Sequence, residues 1–155
     1  VSYTIQGQDI ITNTVYGFSI KQTILPGGTT DEYIYNEGTL TVNKITLKWN
    51  DDKLKESKSV ALSVKIKDAQ KLILDSIIND ININTLDSLY SNPVIDGVYW
   101  IFNFKINNEV IKVQLDNYYL EQLDKLLIFI NKILPTENRY ITFNTLGVKD
   151  DLETK

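Results

Sequence analysis

A chain of 155 residues with 43% hydrophobic and 23% charged side chains can bury one sizeable core and is too apolar for disorder. Its net charge of −4 and pI near 4.8 argue against sequence-independent nucleic-acid binding. It has no cysteine and no histidine. That excludes disulfides, serine–histidine–aspartate and cysteine–histidine centres and ordinary zinc sites, so no cofactor or metal is expected.

In chain order, residues 14–24 alternate. Tyr16, Phe18, Ile20 and Ile24 fall on one side and Ser19, Lys21 and Thr23 on the other, the pattern of a half-buried strand. Leu25-Pro26-Gly27-Gly28 ends it with turn chemistry. A hairpin is expected around Asn36-Glu37-Gly38. The phase then changes: Leu40 and Val42 share one parity, but Ile45, Leu47 and Trp49 share the other. A bulge near Asn43-Lys44 would reconcile them. Residues 50–58 read as a polar connection. Val60, Leu62, Val64 and Ile66 mark the next strand. Asp68 suits a helix N-cap, with Ala69, Leu72, Ile73, Ile77 and Ile81 as the apolar stripe. A short helical turn is expected over residues 84–90.

Residues 96–115 form the strongest signal, two strands joined at Asn107-Asn108. Val98, Trp100, Phe102, Phe104 and Ile106 make one wholly apolar face. The other face fades from Tyr99 and Ile101 to Asn103 and Lys105. Asp116 or Asn117 would then cap a helix over residues 117–134, built on Tyr119, Leu120, Leu123, Leu126, Leu127, Ile130, Ile133 and Leu134. Ile128 and Phe129 widen its apolar arc, and Glu121, Gln122, Asp124 and Lys125 take its wet side. Pro135 stops it. Residues 139–143 suit a last strand.

Tight turns between neighbouring strands imply mostly antiparallel pairing. The expected fold is α+β: a sheet of about six to seven strands, with helices over residues 68–81 and 117–134 packed on one face. Residues 1–149 are expected to form one domain and residues 150–155 a polar tail.

Charge is unevenly spread. Residues 44–71 carry eight lysines against four acids, leaving eight basic and sixteen acidic residues for the rest of the chain. The plain reading is a solvated strand pair whose lysines protect a sheet edge. The sharper one is a dipolar surface that steers a charged partner.

Few chemistries remain. No Ser-x-x-Lys, phosphate-loop or dinucleotide-loop pattern occurs. Asp80, Asn82 and Asn84 imitate the start of a calcium loop, but Thr85 replaces its glycine and Ser91 its final glutamate. A helix end entering a loop accounts for them better. Asp96, before Gly97, is the best-placed acid for a hydrolase, yet an Asp-Gly turn explains it as well. No catalytic residue is assigned. The aromatics remain, because tyrosine and tryptophan anchor protein interfaces. Tyr33, Tyr35, Tyr99, Ile101 and Tyr118 are the candidate partner-binding residues.

The segment with Asp96 and Trp100 four apart on a strand, a hairpin, a long helix and a short last strand resembles the C-terminal halves of small uncharacterised bacterial envelope proteins. The resemblance covers less than half of the chain. It implies a secreted or lipid-anchored domain; some similar acidic α+β proteins are immunity proteins that block a toxin.

The functional expectation is therefore a non-catalytic domain that binds another protein, most concretely an immunity-type protein. The alternatives are an envelope domain and, third, a carboxylate-based hydrolase. No nucleic-acid partner is expected. No apolar run approaches the roughly 20 residues of a membrane span. A chain that begins at Val1 and lacks methionine reads as a mature form after signal removal, or a trimmed one. Abundant Asn, Ile, Lys and Tyr suggest an AT-rich bacterial genome. The periplasm or envelope is the favoured location, with the cytoplasm as the alternative.

Overall fold

A computed structural model describes residues 15–24, 29–93 and 97–135. The turn at residues 25–28, Asp96, the strand expected over 139–143 and the tail at 150–155 lie outside the described residues. The chain forms β1 (Val15–Ile24), β2 (Thr29–Asn36), β3 (Thr39–Asn50), β4 (Lys53–Lys65), α1 (Asp68–Ile81), β5 (Leu89–Ser91), β6 (Val98–Ile106), β7 (Glu109–Asp116) and α2 (Glu121–Ile133). The fold is α+β, and the seven described strands make one sheet in the order β4-β3-β2-β1-β6-β7-β5. Every pairing is antiparallel except that of the short β5 with β7.

Three hairpins are closed by two-residue turns in which both central residues have positive φ: Glu37-Gly38, Asp51-Asp52 and Asn107-Asn108. That is the type I′ geometry, whose twist matches that of the flanking strands. Asn, Asp and Gly tolerate it best. The middle turn corrects the sequence reading. Residues 50–58 are not a connection: β3 continues to Asn50 and β4 starts at Lys53.

The register separates the two faces of the sheet. Phe104, Phe18, Tyr35 and Leu40 stand opposite one another in successive strands, as do Val113, Phe102, Ile20, Tyr33, Val42 and Leu62. Together with Trp100 and Leu115 these define the core face. Its rings run close, with Phe18–Tyr35 centroids 5.2 Å apart and Phe102–Phe104 6.3 Å apart. The same core contains Leu74, Ile78 and Ile81 of α1 and Leu123, Leu126, Leu127 and Ile130 of α2.

Both helices differ in detail from expectation. In α1 the buried stripe is Leu74, Ile78 and Ile81, while Ala69, Leu72 and Ile73 are exposed. Asp68 is the first helical residue rather than the cap. The cap position is Lys67, whose backbone N–H donates to Gln70 Oε1 at 2.9 Å. α2 begins at Glu121 rather than residue 117. Asn117 does not cap it: at φ 51° its Oδ1 accepts the Val98 N–H at 2.8 Å, tying the end of β7 to the start of β6. Gly97 belongs to this tie, since a Cβ there would collide with the Asn117 amide. Asp124, expected on the wet side, is buried, and the Tyr119 hydroxyl donates to its Oδ2 at 3.3 Å.

The bulge exists but does not do what the sequence reading asked of it. Val42 pairs with Leu62 and Asn43 with Val60, so the extra residue is Ala61, in β4. The ladder between β2 and β3 is uninterrupted. β3 therefore keeps its phase and places apolar side chains on both faces: Leu40 and Val42 on the core face, Ile45, Leu47 and Trp49 on the reverse.

Candidate functional site

The five candidate residues do not gather in one place. Tyr33 and Tyr35, 1% and 6% exposed, occupy the core face of β2 and are covered by this chain's own side chains. They present no surface to a partner. Tyr118 precedes α2 and packs on Tyr90, ring centroids 5.3 Å apart. Tyr90 stands opposite Leu115 in register, and its hydroxyl oxygen accepts the Asp87 N–H at 2.9 Å. Tyr118 is thus tied to the flank of the core.

Tyr99 and Ile101 do lie together, on the reverse face of β6, and both are partly exposed. Their cross-strand neighbours are Thr23 and Asp116 for Tyr99, and Lys21 and Gln114 for Ile101. Gln114 Nε2 donates to Asp116 Oδ1 at 3.0 Å, and Asn103 Nδ2 to Ser19 Oγ at 3.2 Å. An apolar pair is thereby framed by polar groups already engaged with one another. Such a pair inside a polar rim is the composition of an interface anchor.

Further along the reverse face the polar groups form a charged network. Lys58 pairs with Glu32, Asn43 Nδ2 donates to Glu32 Oε2 at 3.1 Å, and Lys21 lies 3.8 Å from Glu56. Burial pushes the Glu32 carboxyl up. The Lys58 and Asn43 hydrogen bonds, with the charges of Lys58 and Lys21, outweigh it and hold the group below its ordinary value. Glu32 is therefore a locked structural anion that staples β2 to β3 and β4, rather than an acid available for proton transfer.

A second feature escaped the sequence reading. The outer parts of β3 and β4 extend past the start of β2, whose first residue, Thr29, pairs with Thr46. On the reverse face of this ribbon Trp49 opposes Leu54, 75% and 50% exposed, with Val60 at 68% further along β4. On its other face Lys48 opposes Lys55, and Lys53 follows two residues before. None of these three lysines has a carboxylate partner among the described residues, unlike Lys21, Lys44 and Lys58. The signal was present in the parity switch at Ile45, Leu47 and Trp49: Ile45 is buried on the reverse face, Leu47 is partly exposed, and Trp49 is open.

Among the described residues no group of three acidic side chains could hold a metal ion, and no helix is long and apolar enough to cross a membrane. Asp80 and Asn84 of the calcium-like stretch are exposed, while Asn82 closes α1 in the left-handed conformation at φ 52°. No protein-family model matches the chain, and no curated protein matches it.

Proposed function

We propose that this chain is a non-catalytic protein-binding domain that meets its partner with the reverse face of the sheet, at Tyr99 and Ile101. The observation that carries this reading is their shared exposure on β6, whose alternate residues supply the centre of the core. A strand rigidly held on one face positions the side chains of its other face without further ordering cost, which favours binding. In this reading both helices cover the core face together, so that the part of the reverse face around Tyr99 and Ile101 is left for a partner. Its most concrete form is an immunity-type protein that binds and neutralises a bacterial toxin. Net acidity favours a basic protein over nucleic acid as the target.

Affinity capture with the wild-type chain and with Tyr99→Ala and Ile101→Ser tests the surface. One protein partner is expected on the wild type, weakened at least about tenfold by either change while the unfolding midpoint holds. A partner retained in full by both variants would refute this face. For the immunity form, co-expression should relieve growth arrest caused by that partner. A partner that is harmless when expressed alone would remove neutralisation and leave binding.

A further inference from the structure

The first nine residues of β4, 53–61, are exposed on both faces of the strand. β4 stands at the end of the sheet and pairs only with β3 among the described strands. Its outer side is a row of peptide groups able to pair with one more strand. What distinguishes this edge is that its two faces differ in chemistry. One carries Lys48, Lys53 and Lys55; the other carries Trp49, Leu54 and Val60, with Glu56 and Lys58 between the last two and already paired with Lys21 and Glu32.

Two observations indicate what such an edge would accept. Lys48 and Lys55 stand directly opposite each other. Like charges in that position repel, and an anion set between or beside them removes the repulsion. The apolar trio on the other face is too exposed to be part of this chain's core: Trp49 and Leu54 stand side by side across the two strands, and Val60 lies six residues further along the edge, beyond the paired Glu56 and Lys58. A second copy of the chain fits badly. Pairing β4 with itself about a two-fold axis would set its basic run against an identical basic run. An anionic bilayer fits badly as well, because the ribbon ends on Asp51 and Asp52, which would enter the headgroup layer first.

We propose that β4 is a docking edge for an extended acidic segment of another protein. The segment adds antiparallel to residues 53–60. Its carboxylates lie on the face of Lys48, Lys53 and Lys55, and its alternate aliphatic side chains lie on Leu54 and Val60 with Trp49 behind them. The required sequence pattern is acid–aliphatic alternation, set by the two-residue period of a strand. The proposal extends the binding reading to a second surface and does not use Tyr99 or Ile101, so either can fail without the other.

The probe is a short end-capped synthetic peptide alternating valine and glutamate, compared with its valine–lysine counterpart. Binding of the glutamate peptide should slow backbone amide exchange in residues 53–60 and weaken as salt is raised. The double change Lys53→Glu with Lys55→Glu, and separately Trp49→Ala, should each weaken it at least about tenfold. All three side chains are exposed, so these variants retain the fold; unchanged thermal unfolding confirms it. Equal binding of the two peptides overturns the proposal, as does absence of protection in β4 or indifference to both variants. Self-association in sedimentation that Trp49→Ala abolishes, with no peptide binding, would reassign the edge to a second copy. Adsorption to phosphatidylglycerol vesicles without peptide binding would reassign it to a membrane surface.

Discussion

β6 and β4 are both long strands of the same sheet, and they could hardly differ more. Along β6 every second side chain is buried, from Val98 through Trp100, Phe102 and Phe104 to Ile106. Along β4 the first nine residues are exposed without exception. β6 has a strand on each side and a core on one face; β4 has one neighbour among the described strands and, over residues 53–61, only exposed side chains. The backbone ladder is common to both, so hydrogen bonding alone does not explain why either strand forms. β6 is held by burial of aromatic area, which contributes about 1.5–3 kcal/mol per large side chain. β4 is held by its register against β3, set by the turn at Asp51-Asp52. Stability resides in the first strand, and the second is left free to carry surface chemistry.

The widest separation should come from truncation in β6. Phe102→Ala, at a fully buried position, should cost about 3–5 kcal/mol in urea unfolding. If the loss were below about 1 kcal/mol, the assignment of stability to β6 would be wrong. Next is the tie that holds the start of β6. Gly97→Ala forces a Cβ into the Asn117 amide and should cost about 1–3 kcal/mol. Coupling to Asn117→Ala in a double-mutant cycle should remove much of that cost, because the obstructing group is gone. Independent, additive losses would show that the tie is not what the substitution disturbs.

A smaller effect concerns the link between the sheet's interior and the β4 side. Glu32 is held below its ordinary pKa in the fold, so the folded state binds fewer protons than the unfolded chain in that range. Its contribution is complete above the unfolded value and is lost as pH falls through the folded one. Glu32→Gln should therefore flatten this part of the acid-side stability profile and leave the alkaline side unchanged. Parallel profiles for the two proteins would contradict the lock. The smallest effect should be in β4 itself: Val60→Ala should change stability by no more than about 0.5 kcal/mol. A loss comparable with that of Phe102→Ala would mean that the β4 edge at Val60 is buried in solution, and the contrast between the strands would collapse.

Legibility in the sequence follows the same contrast. β6 could be read from its residues because a one-faced core writes a two-residue period into the chain, and the face assigned to Trp100 is the core face observed. β4 could not be read between residues 53 and 59, because a strand without a buried face leaves no such period. In α1 the sequence offers two overlapping stripes. The expected one runs through Ala69, Leu72, Ile73, Ile77 and Ile81 and the other through Leu74, Ile78 and Ile81; burial falls on the second, which shares Ile81 with the first. Helix periodicity cannot rank two adequate stripes; the core that the tertiary fold assembles around Leu74, Ile78 and Ile81 does. The candidate site suffered more. Tyr33 and Tyr35 have the same side-chain chemistry as Tyr99, and only the register of β2 against β1 and β3 sends them inward.

The sequence by itself determined that this is an α+β chain with a predominantly antiparallel sheet, two helices and a core built on the Trp100 face. Those properties are local: turn chemistry, residue period and helix stops act over a few neighbouring positions. It also located the basic segment that becomes the edge strand β4. Only the tertiary structure decided which tyrosines are core, which stripe of α1 faces inward, and that Trp49 and Leu54 stand exposed on the opposite face of a ribbon from Lys48, Lys53 and Lys55. Those outcomes depend on register and strand order, which bring together residues far apart in the chain. A single shift in pairing reverses every side chain of a strand, and no local pattern records which pairing was chosen.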